Sequence, residues 1–129
     1  MKVAVPRETH PDETRVAAIP ESVGKLVQAG IDVQIESGLG QTVGATDADY
    51  EKAGATVVAD RDELLGGAEL ILRLRPPALD EVEKLPEGCV QVSFLDPFNQ
   101  RELVERLAAR MVNAISMEMV PRTTLAQKM

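Results

Sequence analysis

Arginines and a glutamine stand at the ends of this chain's short apolar runs. Arg7 follows "KVAVP", Arg15 opens "RVAAIP", Arg73 and Arg75 lie in "ELILRLRPP", and Arg122 and Gln127 fall in the closing "PRTTLAQKM". A guanidinium grips a carboxylate or phosphate through two parallel N–H donors. A glutamine amide carries both donor and acceptor, which suits it to a ribose hydroxyl or a carboxamide. In an acidic chain arginines more often pair with neighbouring Asp and Glu, so at most a subset of the first four is expected to converge on one ligand. By physics alone the closing nine residues read as a solvated tail.

Three other features invite chemistry. "GLGQTVG" follows an apolar run, but Gly38, Gly40 and Gly44 give G-x-G-x-x-x-G, not the G-x-G-x-x-G of a dinucleotide fingerprint. Helical signal starts only at Thr46, which leaves no helix N-terminus to hold a pyrophosphate, so the stretch reads as a turn-forming loop. Asp96 ends "CVQVSFL", where a phosphoacceptor aspartate would stand, but Glu8, Asp12 and Glu13 are too scattered for the Mg²⁺ site such chemistry needs. Capping the next helix is the ordinary task of Asp96 or Asn99 in "DPFN". His10 and Cys89 are single residues of their type without a ligand partner at metal spacing, and Cys89 reads as a small core residue. No metal site is expected.

The elements that would position these groups alternate along the chain. "KVAVP", "DVQIES", "TVVA", "ELILRLR", "CVQVSFL" and "NAISMEMV" read as strands, rich in β-branched and apolar residues. Between them lie "PESVGKLVQAG", with Pro20 opening a helix, Val23, Leu26 and Val27 on one face and Gly30 ending it, and "DADYEKAGA", capped by Thr46 with Asp47 and Asp49 in its first turn. "DRDELLGGA" and "ALDEVEKL" follow. "NQRELVERLAARM" is the strongest helix, with Leu103, Val104, Leu107, Ala108 and Met111 expected on one buried face. The alternation predicts a single α/β domain over residues 1–129: a doubly wound, mostly parallel sheet with helices on both faces, flavodoxin- or Rossmann-like. In such a sheet ligands sit beyond the carboxyl ends of the strands, where the arginines and the closing loop are expected.

Composition narrows the partners. With 129 residues the chain can bury a core without a disulfide or metal staple. A net charge of −7 argues against nucleic acid and anionic membrane as partners. No apolar stretch approaches the ~18 residues of a membrane span, and the start "MKVAVPRETHPDE" lacks the apolar core of a signal peptide, so a cytoplasmic location is expected.

Residue order adds what spacing cannot. "MKVAVPRETHPDETRVAAIPESVGKLVQAGIDVQIESGLG", "DADYEKAGATVV", "AELILRLRPP" and above all "SMEMVPRTTLAQKM" resemble the family shared by alanine dehydrogenase and the alpha subunit of proton-translocating NAD(P) transhydrogenase. The closing stretch is similar to the transhydrogenase branch, and the resemblance runs over essentially the whole chain. It implies that Arg122 and Gln127 belong to a loop contacting the nicotinamide end of NAD(H), with a third member, an aspartate, falling beyond Met129. The dehydrogenase branch has a reacting histidine where this chain has Asp96 in "FLDPF", which disfavours amino-acid oxidation. Arg15 and Arg75 match positions where that branch binds a carboxylate.

The resemblance further implies a downstream Rossmann domain carrying the true fingerprint, pairing as a homodimer, and an NADP(H)-binding component of the beta subunit as hydride partner. It also implies a membrane domain coupled to proton movement, with the assembly on the cytoplasmic side of the inner membrane. On this reading the 129-residue piece is inactive alone. The alternatives are the substrate domain of an alanine dehydrogenase-like enzyme, binding a keto acid through Arg15 and Arg75, and a non-enzymatic flavodoxin-like interaction module.

Overall fold

The structure, a computed structural model, describes residues 1–10, 12–94 and 100–116. Six strands form one sheet: β1 (Lys2–Val5), β2 (Asp32–Glu36), β3 (Thr56–Val58), β4 (Leu70–Leu72), β5 (Val90–Ser93) and β6 (Asn113–Ser116). Their order is β3-β2-β1-β4-β5-β6, and every pairing among them is parallel. Five helices make the connections: α1 (Pro20–Gln28), α2 (Asp47–Lys52), α3 (Arg61–Gly66), α4 (Leu79–Val82) and α5 (Arg101–Ala109). The doubly wound α/β expectation holds.

Strand alternation divides the core in two. Val3, Val5, Val33 and Ile35 pack with Val23 of α1 and Tyr50 of α2. On the other face Ala4 and Ile71 pack with Leu64 and Leu65 of α3, Val82 of α4, and Leu103 and Leu107 of α5. Cys89 is buried in that second cluster, and burial pushes its thiol pKa up. The reading of Cys89 as a core residue stands.

Local signals explain most helix ends. Pro20 opens α1, whose last turn gives way to Gly30 at φ 88°. Thr46 caps α2 through a reciprocal box: its hydroxyl accepts from the Asp49 N–H, and the Asp49 carboxylate accepts from the Thr46 N–H. The expected Asp47 and Asp49 occupy the first turn.

Two expectations need correction. The strand read over "ELILRLR" ends at Leu72. Beyond it the Leu74 and Arg75 N–H groups turn to the Glu8 carboxylate, at 2.9 Å each, in place of a neighbouring strand. The apolar face assigned to the last helix is also narrower than its pattern. Leu103 and Leu107 are buried, but Val104 and Ala108 are exposed. Each lies about 100° further round the helix, away from the sheet. The helix stops before Met111, which sits at φ 60° and is 64% exposed.

Candidate functional site

The chain reverses its direction of travel across the sheet between β1 and β4, which are neighbours although separated by β2 and β3 in sequence. A crevice opens at the carboxyl ends of two strands whose connections leave in opposite directions, and open α/β sheets bind ligands there. β1 runs into Pro6, Arg7 and Glu8, and β4 into Arg73, Leu74 and Arg75. Three of the first four arginines singled out by sequence therefore stand at the reversal itself. The loop carrying Glu8, Glu13 and Arg15 crosses it.

That loop is tied across the crevice by carboxylates. Glu8 spans from the end of β1 to the end of β4 through the two N–H groups of Leu74 and Arg75. Glu13 is buried although charged, its side chain only 3% exposed. It accepts from Arg15 Nε and Nη2 at 2.9 Å each, from the Arg15 backbone N–H at 3.0 Å, and from Arg75 Nε at 2.9 Å. The Arg15 hydrogen bonds, joined by Arg75, hold the Glu13 carboxyl down to about 2 against the desolvation that would raise it. In return Glu13 raises the already high pKa of Arg15. Arg15 and Arg75 thus converge, on a carboxylate belonging to the same chain.

Arg73 and Arg7 turn elsewhere. Arg73 is buried; its Nη1 meets Glu81 at 2.6 Å and its Nε donates to the Arg75 carbonyl. The Arg7 side chain lies over Gly38, where an added Cβ would sit 3.7 Å from Arg7 Cδ. The Arg7 backbone N–H donates to Glu36 at 2.8 Å. Arg61, at the start of α3, links Glu36 at 2.6 Å to Glu81 at 3.2 Å and also donates to the Arg7 carbonyl. The structural pairing expected of arginines in an acidic chain describes Arg73, and Arg15 and Arg75 as well.

Beside the Glu13 cluster lies an open cleft of about 500 Å³ bordered by His10, Arg15, Arg75, Phe94 and Gln100. The Nδ1 of His10 accepts from the Asp12 N–H at 3.1 Å. Among the described residues no group of three or more His, Cys, Asp or Glu side chains is placed to hold a metal.

The glycine stretch forms a 3-10 turn at Gln41–Val43, a small departure from the sequence reading, in which no helical signal began at Gln41. Two of the N–H groups a phosphate could seek, those of Gly38 and Thr46, are already held by carboxylates. The Asp47 carboxylate accepts from the Ser37 hydroxyl at 2.7 Å and the Gly38 N–H at 2.8 Å, and the capping box occupies the start of α2. Hydrogen bonds from Ser37 first, then Gly38, lower the Asp47 pKa. The turn-forming reading agrees with this geometry.

Sequence reasoning weighed Glu8 and Glu13 only as metal ligands and missed them as partners of the second arginine loop. Their place in the loop leaving β1, beside Arg15, was the available signal. Arg61, Glu36 and Glu81 were missed altogether. Arg122, Gln127 and Asp96 lie outside the described residues.

The six-stranded parallel order and its reversal between β1 and β4 define a Rossmann-like α/β domain. Residues 4–129 match the family described as alanine dehydrogenase/PNT, N-terminal domain, and the chain belongs to that family. It is 37% identical over 134 residues to an alpha-subunit polypeptide of the NAD(P) transhydrogenase of Rhodospirillum rubrum, covering 100% of this chain and 35% of the relative. Among solved structures, a transhydrogenase from Sinorhizobium meliloti superposes with a TM-score of 0.92 at 36% identity, over 100% of this chain and 38% of that one. An L-alanine dehydrogenase superposes at 0.85 and 33% identity, over 90% and 32% respectively. The chain thus spans about a third of the length of these relatives.

Proposed function

We propose that this chain is the N-terminal domain of the NAD(H)-binding component of a proton-translocating NAD(P) transhydrogenase, where it helps hold NAD(H) for hydride transfer to NADP⁺. The observation that carries the reading is likeness over the full chain, at 37% identity, to a subunit named for that activity. The crevice at the strand reversal supports it, since that is where such sheets take nucleotides. The cofactor supplies the hydride chemistry. The residues of this chain bind and orient, and accurate placement of two nicotinamides is itself a large share of the rate.

The residues fit the nicotinamide end better than the phosphates. The Asp47 carboxylate already takes the Gly38 N–H and a capping box closes the start of α2, so in this reading the pyrophosphate falls to a downstream Rossmann domain. In this reading Gln127 positions the dihydronicotinamide or its ribose, and Arg122 braces the loop or the cofactor. The partners are a second copy of the component, the NADP(H)-binding component of the beta subunit and, through it, the membrane domain. The domain itself stays on the cytoplasmic side; no described helix is long and apolar enough to cross a membrane.

Stopped-flow measurement of hydride transfer in the intact assembly tests this. Gln127→Ala and Arg122→Ala are each expected to slow transfer by at least about tenfold. Unchanged rates in both would remove the loop from the site. The chain alone is expected to bind NADH only weakly, and low-micromolar binding by calorimetry would contradict the division of labour with a second domain.

A second reading, an alanine dehydrogenase-like substrate domain, has one observation in its favour. Arg15 and Arg75 do meet at the crevice. Pyruvate- and ammonia-dependent NADH oxidation by the full-length protein would support it over the first.

A further inference from the structure

We propose that Glu13 is a built-in carboxylate that fills the Arg15–Arg75 pair and keeps the crevice from taking a free anion. Glu13, rather than either arginine, then sets what the site accepts. The inference stands on ion geometry and is independent of whether NAD(H) binds.

The contact uses the edge of Arg15 that recognises carboxylates best. Nε and Nη2 meet the two oxygens of Glu13 side by side at 2.9 Å each, the bidentate arrangement a ligand would seek. Arg75 adds Nε to the same oxygen that Arg15 Nη2 holds. One carboxylate therefore engages both guanidiniums. Its side chain is 3% exposed, whereas those of Arg15 and Arg75 are 67% and 39% exposed, so the arginines face the cleft and the acid is sealed behind them.

The charge balance points the same way. Glu8 lies across the crevice on the N–H groups of Leu74 and Arg75, and its field also reaches Arg15. Two guanidiniums thus face two carboxylates, and their charges balance. An incoming carboxylate or phosphate must displace a tethered competitor that loses no translational freedom on binding, and it gains little from long-range attraction. The carboxyl stays ionised down to about pH 2, so ordinary solution conditions do not vacate the pair.

Glu13→Gln is the direct test, because it keeps the shape and one acceptor while removing the charge. The probes are inorganic phosphate and acetate, titrated at low ionic strength against the protein with arginine Nε–H signals followed by NMR. The variant is expected to bind phosphate at least about tenfold more tightly than the wild type, with acetate gaining less, as a full restored positive charge favours the dianion. The gain should show at the Arg15 and Arg75 signals and disappear in the double variant Glu13→Gln/Arg75→Gln. Equal or weaker binding by Glu13→Gln would overturn the proposal. Should that variant fail to fold, the wild type still decides. Its Arg15 Nε–H should exchange more slowly than those of Arg101 and Arg106 and should not shift with phosphate. Fast exchange, or a saturable shift at low millimolar phosphate, would equally overturn it.

Discussion

A carboxyl group held far below its ordinary range ties stability to pH, and Glu13 sits at about 2 against a reference of 4.5. In the unfolded chain it binds a proton below about pH 4.5, while in the folded chain it stays charged. Its contribution is therefore complete above that pH and lost as pH falls toward 2. Asp47 and Asp49 are shifted in the same direction, by Ser37 and Thr46 respectively, and add to the loss. Urea midpoints of wild type and Glu13→Gln should therefore differ most near neutrality and converge toward pH 2. A constant difference across that range would show that Glu13 contributes through shape, not charge. Gln91 is a second residue whose effect on stability is expected at every pH. It is fully buried on β5, and neither its amide nitrogen nor its oxygen has a partner among the described residues. It sits opposite Ile71 in the parallel register, so it faces an apolar layer. Gln91→Met keeps the length and removes both orphaned groups, and it is expected to stabilise by about 1–3 kcal/mol in urea unfolding. Loss of stability would reveal a water that satisfies the amide.

Helix ends give the element scale its own tests. Thr46→Ala removes one half of the capping box at α2 and should cost about 1 kcal/mol. Gly54, which ends that element at φ 105°, is less replaceable. A Cβ there would lie 2.8 Å from Val27 Cγ1 of α1, and the backbone itself disfavours one. Gly54→Ala should cost more than the lost cap, about 2 kcal/mol or above, by thermal or urea unfolding. If it costs less than Thr46→Ala, the contact with Val27 relaxes cheaply. These elements were also the legible ones. Pro20, Gly30 and Thr46 act within a few residues of themselves, and strand alternation needs no knowledge of neighbours, so sheet, helices and caps could all be read in advance. The end of β4 could not, because it depends on Glu8, which lies 66 residues from Leu74. The exposed side of α5 was equally hidden, since Val104 and Ala108 are as apolar as the residues that do pack. For the site, spacing located the strand ends and their arginines. It did not reveal that Arg15 and Arg75 meet on Glu13, whose bond to Arg75 bridges 62 residues.

At the scale of the whole molecule, the sheet has a core on each face, and ion pairs lock the carboxyl ends of its strands. Arg61 is the centre of that lock. Its Nη1 reaches the end of β2 through Glu36 and the end of β1 through the Arg7 carbonyl, and its Nη2 reaches α4 through Glu81. Glu81 in turn holds Arg73 at the end of β4. One guanidinium thus coordinates both sides of the reversal, and its side chain is only 20% exposed. Removing it leaves two half-buried carboxylates each short of a partner, though Arg73 and the Arg7 N–H remain to them. The cost of breaking such a pair is about 3 kcal/mol. Arg61→Met should therefore lower the urea midpoint strongly while leaving the slope unchanged, because the same surface is exposed on unfolding. Arg61→Lys should recover less than half of the loss, since a single ammonium cannot span Glu36 and Glu81 as the planar fork does. The control is the Arg101–Glu105 pair, 3.4 Å apart with side chains 89% and 68% exposed. Arg101→Ala should change stability by less than about 0.5 kcal/mol. If Arg61→Met matched that small effect, the strand ends would be held by the sheet alone, and the arginine network would belong to ligand binding and not to the fold.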